Sequence, residues 1–338
     1  MGRRHTGEFP SSPTHRSTKP PRARHPEAAG FRVGPYEIVR RLPAGEMCEV
    51  FVGREGPGGP LVVIKRLSPG FNHNDRVRRL FANEIRTSLL LRHPNVVGGL
   101  AHGSDDDGPF LVLEFVDGPD LDGLARAVRR EGLALGLPLS IHVAAQALAG
   151  LHHAHNARDA RGTPLGLVHR DVSPENLLCG RNGQVKLTDF GIAKLTALQS
   201  FTDPRQGLMG KLSFMSPERA RGDPCDARAD QFSTALILYE LCTGMRAYPS
   251  PGPGAGLMEV MDQVEAARVV APRKVNPEVP RALEDSIMRA LSPRPRDRYP
   301  DCMAFREALL AVADKVYLQA SAVDLAALLE EMDPAAAV

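Results

Sequence analysis

Two short stretches of this chain concentrate the side chains that handle metal ions and phosphate. His169-Arg170-Asp171-Val172-Ser173-Pro174-Glu175-Asn176 carries a carboxylate and a carboxamide, and Asp189-Phe190-Gly191 begins thirteen residues after Asn176. Hard cations take oxygen ligands, and a hydroxyl attacking phosphorus needs a carboxylate to orient it; Asp171, Asn176 and Asp189 supply those types. Between them, Leu177-Leu178-Cys179 and Gln184-Val185-Lys186-Leu187 flank Arg181-Asn182-Gly183, a pattern that predicts a short hairpin with an Asn-Gly turn. Such a hairpin would bring the carboxylates together. Taken singly, each residue has a plainer reading: His169 as a packed core histidine, Lys65 as a solvated amine at a strand end.

The elements that must position these groups are legible from periodicity. Tyr36 to Leu42 and Val50 to Gly53 are short β-rich runs around a turn, and Leu61-Val62-Val63-Ile64-Lys65 follows a Gly/Pro cluster as a third strand. Residues 74–92 set Val77, Leu80, Phe81 and Ile85 at helical spacing and stop before His93-Pro94-Asn95. Pro109 to Val116 is an apolar strand broken by Asp117-Gly118-Pro119. Beyond it the pattern is helical over 139–155, 230–243, 258–267, 281–291 and 301–316. Val323 to Met332 is a last amphipathic stretch, expected to dock back on the domain in preference to binding a partner.

At 338 residues and 43% hydrophobic, the chain can bury a core in one large domain or two lobes. Five scattered cysteines without a CxxC pair argue against a disulfide framework or a zinc site. No apolar run reaches the length of a membrane span, and the basic start lacks a secretory apolar stretch, so a soluble cytoplasmic protein is expected. Residues 1–30 hold six Arg and Lys against two Glu, a net +4 that leaves −2 for the remainder. Being also rich in Pro and Ser, this segment is expected to be a disordered arm. Neither a membrane nor nucleic acid is an expected partner.

In order and spacing, the His-Arg-Asp stretch with its downstream asparagine and the Asp-Phe-Gly motif resemble the bacterial eukaryotic-like (Hanks-type) serine/threonine protein kinases, from about Pro35 to Val316. The resemblance implies an α+β, two-lobed fold: a small antiparallel β-sheet lobe with one regulatory helix, and a larger, mainly helical lobe. It divides the chain into a tail (1–31), a small lobe (32–116), a large lobe (117–316) and a helical extension (317–338). It implies transfer of the γ-phosphate of ATP, with Mg2+ or Mn2+, to protein serine or threonine hydroxyls. It further implies autophosphorylation of the activation segment, at Thr196, Ser200 or Thr202, and allows self-association for that reaction in trans.

The same resemblance assigns roles. Lys65 would hold the α- and β-phosphates while paired to Glu84, which is the sole carboxylate between Asp75 and Asp105. Asp171 would orient the acceptor hydroxyl, and Asn176 and Asp189 would hold the metal. Leu42, Gly45, Val50, Val63, Leu113 and Leu178 would surround the nucleotide, with the backbone of Glu114 and Val116 on the adenine. Phe190 would pack on the regulatory helix, and Arg170 would meet a phosphorylated loop. Glu218 of Met215-Ser216-Pro217-Glu218 would pair with Arg298, and Asp230 would anchor the catalytic loop.

Some positions depart from the family. In Leu42-Pro43-Ala44-Gly45-Glu46-Met47-Cys48 only the middle glycine of the glycine-rich loop remains, which predicts a weaker nucleotide clamp. Ser173 stands where these kinases carry a phosphate-neutralising lysine, while Lys211 replaces a threonine of the substrate loop. Lys211 is therefore a catalytic candidate, a relocated cation; the plain alternative is a solvated lysine and slow turnover. Pro43, Cys48 and Ser173 also support an alternative function, a pseudokinase that binds nucleotide or acts as a scaffold with little phosphotransfer.

Overall fold

The computed structural model describes residues 31–45, 47–190, 212–248 and 257–332. The basic tail, the loop hydroxyls Thr196, Ser200 and Thr202, and Lys211 lie outside the described residues.

The small lobe is built on one antiparallel sheet. Its strands are β1 (Arg32–Val33), β2 (Tyr36–Leu42), β3 (Cys48–Glu55), β4 (Leu61–Leu67), β5 (Gly99–Asp105) and β6 (Gly108–Glu114), in the order β1-β2-β3-β4-β6-β5. The sequence pattern foresaw β2, β3, β4 and β6 but not β1 or β5. Period-two alternation sorts β4 into two faces. Val62 and Ile64 join Phe51 and Val112 in a cluster on the outer face, while Val63 and Lys65 point the other way, toward the large lobe. The register sets Val50 directly opposite Lys65 and Val63 opposite Leu113.

Helix α1 (Asp75–Leu90) starts where the Asn74 side chain accepts from the N–H groups of Arg76 and Val77 at 3.1 and 3.2 Å. Val77, Phe81 and Glu84 fall on one helical stripe and are all buried. A carboxylate on an otherwise apolar stripe needs a buried cation, and β4 provides one.

The large lobe comprises α2 (Leu121–Arg130), α3 (Leu137–His155), the hairpin β7 (Leu177–Cys179) and β8 (Val185–Leu187), α4 (Pro217–Ala220), α5 (Ala227–Thr243), α6 (Leu257–Glu265), α7 (Pro272–Val275), α8 (Arg281–Ala290), α9 (Cys302–Lys315) and α10 (Ala322–Met332). Helix α5 is buried around most of its circumference and packs on α3 and α9, with Leu148, Phe232, Leu236, Phe305 and Leu309 in one core. Helix α10 docks on that core through Leu325 and Leu329, both buried, as its amphipathic pattern suggests. No described helix is long and apolar enough to cross a membrane.

Candidate active site

Between the sheet and the large lobe lies a cleft of about 590 Å³. Leu42, Val50, Val63, Leu113, Val116 and Leu178 line its apolar part, while Lys65 and Asp189 line its charged end. Gly45, expected over the nucleotide, is exposed and is not among the lining residues; Pro43 is. The loop follows β2 straight through Pro43, whose ring fixes φ and presents its own surface to the cleft. The Glu114 N–H donates to the Gly98 carbonyl at 3.0 Å, so of its backbone groups only the carbonyl can serve a base. The Glu114 carboxylate is engaged too, accepting from Gly98 N–H at 2.7 Å and from Lys186 Nζ at 2.8 Å.

Lys65 Nζ bonds Glu84 Oε1 and, at 2.9 Å, Asp189 Oδ1. Burial works against its ammonium, but the Asp189 and Glu84 carboxylates override that and hold its pKa above the ordinary lysine value. The amine is therefore a fixed positive charge at working pH. Glu84 is itself buried, whereas the Asp189 side chain keeps 33% of its surface exposed. Cys48 sits in the same field; burial pushes its thiol up to about 12, with Lys65 opposing.

Asp230 organises the catalytic loop from inside the large lobe. Its carboxylate accepts from the backbone N–H of His169 and of Arg170, each at 2.7 Å, and pairs with His155 Nε2 at 2.8 Å. Burial alone would raise its pKa, but His155 and the loop amide groups hold it below the usual carboxylate value. Anchored in this way, Arg170 adopts a left-handed φ of 65°, and Asp189 one of 57°. Such conformations are strained for non-glycine residues and persist only where surrounding bonds enforce them.

Asp171 and Asn176 are joined directly. Asn176 Nδ2 donates to the Asp171 carbonyl at 2.7 Å and to its Oδ2 at 3.1 Å. Thr188 N–H bonds the Asn176 carbonyl at 3.0 Å, which ties this loop to the strand leading into Asp189. His169 is fully buried, its Nε2 meeting the Thr188 carbonyl at 3.0 Å, in the structural role expected. The Phe190 ring lies 4.7 Å from His169 within the large-lobe core, a cluster that also holds Leu91, the residue that caps the end of α1.

Glu218 and Arg298 form a buried two-pronged pair, both bonds at 2.8 Å. The pair pins α4, and the next residue, Arg219, lies in the electrostatic field of Asp171 and Asp230; burial pushes its guanidinium pKa down while both carboxylates oppose this. Sequence reasoning missed Arg219 and also His155. No local pattern marks either, because each matters through residues far away in the chain.

The donor set suits a hard divalent cation. Asp189 offers a partly exposed carboxylate, and the Asn176 amide nitrogen is committed to Asp171, which leaves the amide oxygen as the end a metal can use. With a fixed ammonium alongside, this end of the cleft can hold a metal-bound polyphosphate, and Asp171 can receive a hydroxyl.

Comparison with known proteins accords with that chemistry. The family model described as "Protein kinase domain" matches residues 36–311. Tyrosine-protein kinase MasK of Myxococcus xanthus is 36% identical over 280 residues, covering 82% of this chain and 42% of that protein. Serine/threonine-protein kinase Pkn1 of the same organism is 34% identical over 296 residues, covering 86% of this chain and 40% of that protein. The chain thus spans about two fifths of the length of these curated relatives. The crystal structure of the Mycobacterium tuberculosis PknI kinase domain is similar with a TM-score of 0.62 at 27% identity, over 85% of this chain and 99% of that one.

Proposed function

Because this chain belongs to the protein kinase domain family, we propose that it transfers the γ-phosphate of ATP to serine or threonine hydroxyls of proteins. The observation that carries the proposal is the Lys65 amine held between the Glu84 and Asp189 carboxylates at the charged end of the cleft. In this reading Lys65 grips the α- and β-phosphates and Glu84 keeps the amine in place. The apolar walls from Leu42 to Leu178 hold the base, with the Glu114 carbonyl and the Val116 N–H as its polar contacts. Asn176 and Asp189 hold Mg2+ (or Mn2+), which when bound draws negative charge from the transferring group. Asp171, fixed by Asn176, aligns the acceptor hydroxyl and takes up its proton.

Relatives named as serine/threonine kinases, Pkn1 among them, support the choice of acceptor. MasK makes tyrosine the acceptor to test against. The pseudokinase alternative finds no support among these relatives. A cytoplasmic location, where ATP and reduced thiols coexist, is part of the proposal, as are phosphorylation in trans between two copies and the lobe boundaries at 116 and 316. Incubation with γ-labelled ATP and Mg2+, followed by phosphoamino-acid analysis, is the test. Label on serine or threonine that disappears in Asp171→Ala is the expected result; no label, or label unchanged in that variant, would overturn the proposal.

A further inference from the structure

Residues 316–332 lie beyond the span that the family model matches, yet they are built into the large lobe with care. After α9 the chain reverses at Tyr317, which takes a left-handed φ of 57° while its side chain is 87% exposed. The Leu318 N–H closes the turn on the Ala313 carbonyl at 2.9 Å, so a strained corner is held without any packing gain from its own ring. Asp324 Oδ2 then accepts from both the N–H and the Oγ of Ser321, each at 2.7 Å, and this box fixes the start of α10.

That start sits on the hairpin turn. Gly183 has a φ of 77°, and a Cβ there would lie 1.7 Å from the Ala322 carbonyl oxygen, so the two backbones are in direct contact. Helix α3 reinforces the junction. The His142 ring faces the backbone of both Ala320 and Gly183, and its neighbour Gln146 accepts from Val185 N–H at 3.0 Å and from Asn95 Nδ2 at 2.7 Å. Further along, α10 packs against α2 and buries Leu325 and Leu329.

Both anchor points lead in one step to the site. The hairpin begins directly after Asn176 and ends just before Asp189. The segment entering α2 is bonded to the same hairpin, Cys179 N–H to the Pro119 carbonyl at 2.8 Å and Arg181 N–H to the Asp117 carbonyl at 2.7 Å. We propose that residues 316–332 act as a strap. Seated on the Gly183 turn and on α2, it sets the position of the hairpin that carries Asn176 and Asp189, and release of α10 loosens that hairpin and weakens engagement of the divalent metal. The metal clause rests on the kinase reading; the mechanical clause does not.

Hydrogen exchange on the full chain separates the two. The double variant Leu325→Glu/Leu329→Glu should release α10 and speed amide exchange over 177–187 by about tenfold while α5 stays protected. In the same variant the Mg2+ concentration for half-maximal phosphotransfer should rise about fivefold, the weaker end of that loss of local order. Val323→Glu, on the same helix but 76% exposed, should change neither. Free exchange in α10 beside a hairpin of wild-type protection would overturn the strap, as would equal effects from Val323→Glu. If the double variant loses α5 protection, Gly183→Ala decides from the other side: it should speed exchange at the start of α10, and unchanged protection there would overturn the proposal. Exchange needs no catalysis, so a wild-type chain without phosphotransfer would sink the enzymatic reading and leave the strap standing or falling on its own result.

Discussion

Removing the Glu218 carboxylate should be among the costliest single changes in the large lobe. The Arg298 side chain is fully buried and that of Glu218 is 5% exposed, so neither has water to fall back on. Arg298 also donates to the Arg228 carbonyl at 2.8 Å and to the Ser292 carbonyl at 2.9 Å, and its guanidinium stacks 4.6 Å from the Phe232 ring. These contacts would hold the cation in place after its partner is gone. Glu218→Ala thus strands a charge that cannot leave, and the expected loss is about 3 to 5 kcal/mol. Two charge-assisted bonds at roughly 1.5 to 3 kcal/mol each point to the same size. Glu218→Gln keeps one acceptor oxygen and should lose roughly half as much. Replacing both residues, as Glu218→Leu with Arg298→Met, removes the stranded charge and should cost only about 1 kcal/mol relative to wild type. Urea unfolding of wild type, Glu218→Leu, Arg298→Met and the double variant, followed by large-lobe circular dichroism, measures the cycle, with Glu218→Ala and Glu218→Gln alongside. If Glu218→Ala loses under about 1 kcal/mol, or the double variant loses the full sum of its singles, the pair is not the desolvated anchor described here.

Three other outcomes are expected. Arg219 and Lys211 are the two candidates to replace the cation missing at Ser173; Arg219→Gln and Lys211→Ala, assayed separately for kcat, should show a loss of about tenfold or more in at least one, and full activity in both would show that no relocated charge is needed. Asp230 has a lowered pKa in the folded chain, so its stabilisation is complete above the ordinary aspartate value of about 3.9 and is lost as pH falls through the lower folded value. Asp230→Asn should therefore be less stable than wild type at neutral pH, by a margin that shrinks in acid unfolding titrations below about pH 4; a constant margin would contradict the assignment. With its thiol pushed up to about 12, Cys48 should be roughly one part in ten thousand thiolate at pH 8 and should resist iodoacetamide even though it is only half-buried, which mass-spectrometric mapping checks against the less perturbed Cys225.

How far the sequence could be read follows from how local each determinant is. The His169 to Asn176 stretch, the Asn-Gly hairpin and Asp189 are contiguous in the chain, so type and spacing were enough to place them on adjacent turns. Helix α1 was legible for the same reason, its capping asparagine and buried stripe all lying within one segment. Strand β5 was not. Its run, Gly99 to Asp105, holds few residues that favour strands, and it exists because β6 pairs with it. Gly103 is explicable only from that pairing, since a Cβ there would lie 2.5 Å from the Phe110 ring across the sheet. Helix α2 carried a usable signal in its Asp120 cap and the spacing of Leu121, Leu124 and Val128, but the break at Asp117 to Pro119 obscured it.

Of the departures from the family pattern, Cys48 lies in the field of Lys65, whereas Pro43, Gly45 and Ser173 lie outside the ion pairs that hold that amine. Pro43 borders the cleft and Gly45 is exposed, and Ser173 caps the short helical turn from Pro174 to Asn176 through its carbonyl, which accepts from the Asn176 N–H at 3.0 Å, while its side chain makes no cap bond. The groups that must converge are instead fixed from behind, by Asp230 beneath His169 and Arg170 and by Glu84 beneath Lys65. Holding Arg170 and Asp189 in left-handed conformations costs on the order of 1 to 3 kcal/mol each. A chain that kept the fold merely as a scaffold would gain stability by relaxing them. Their retention, together with a lysine flanked by two carboxylates, is the physical ground for expecting chemistry at this cleft and not binding alone.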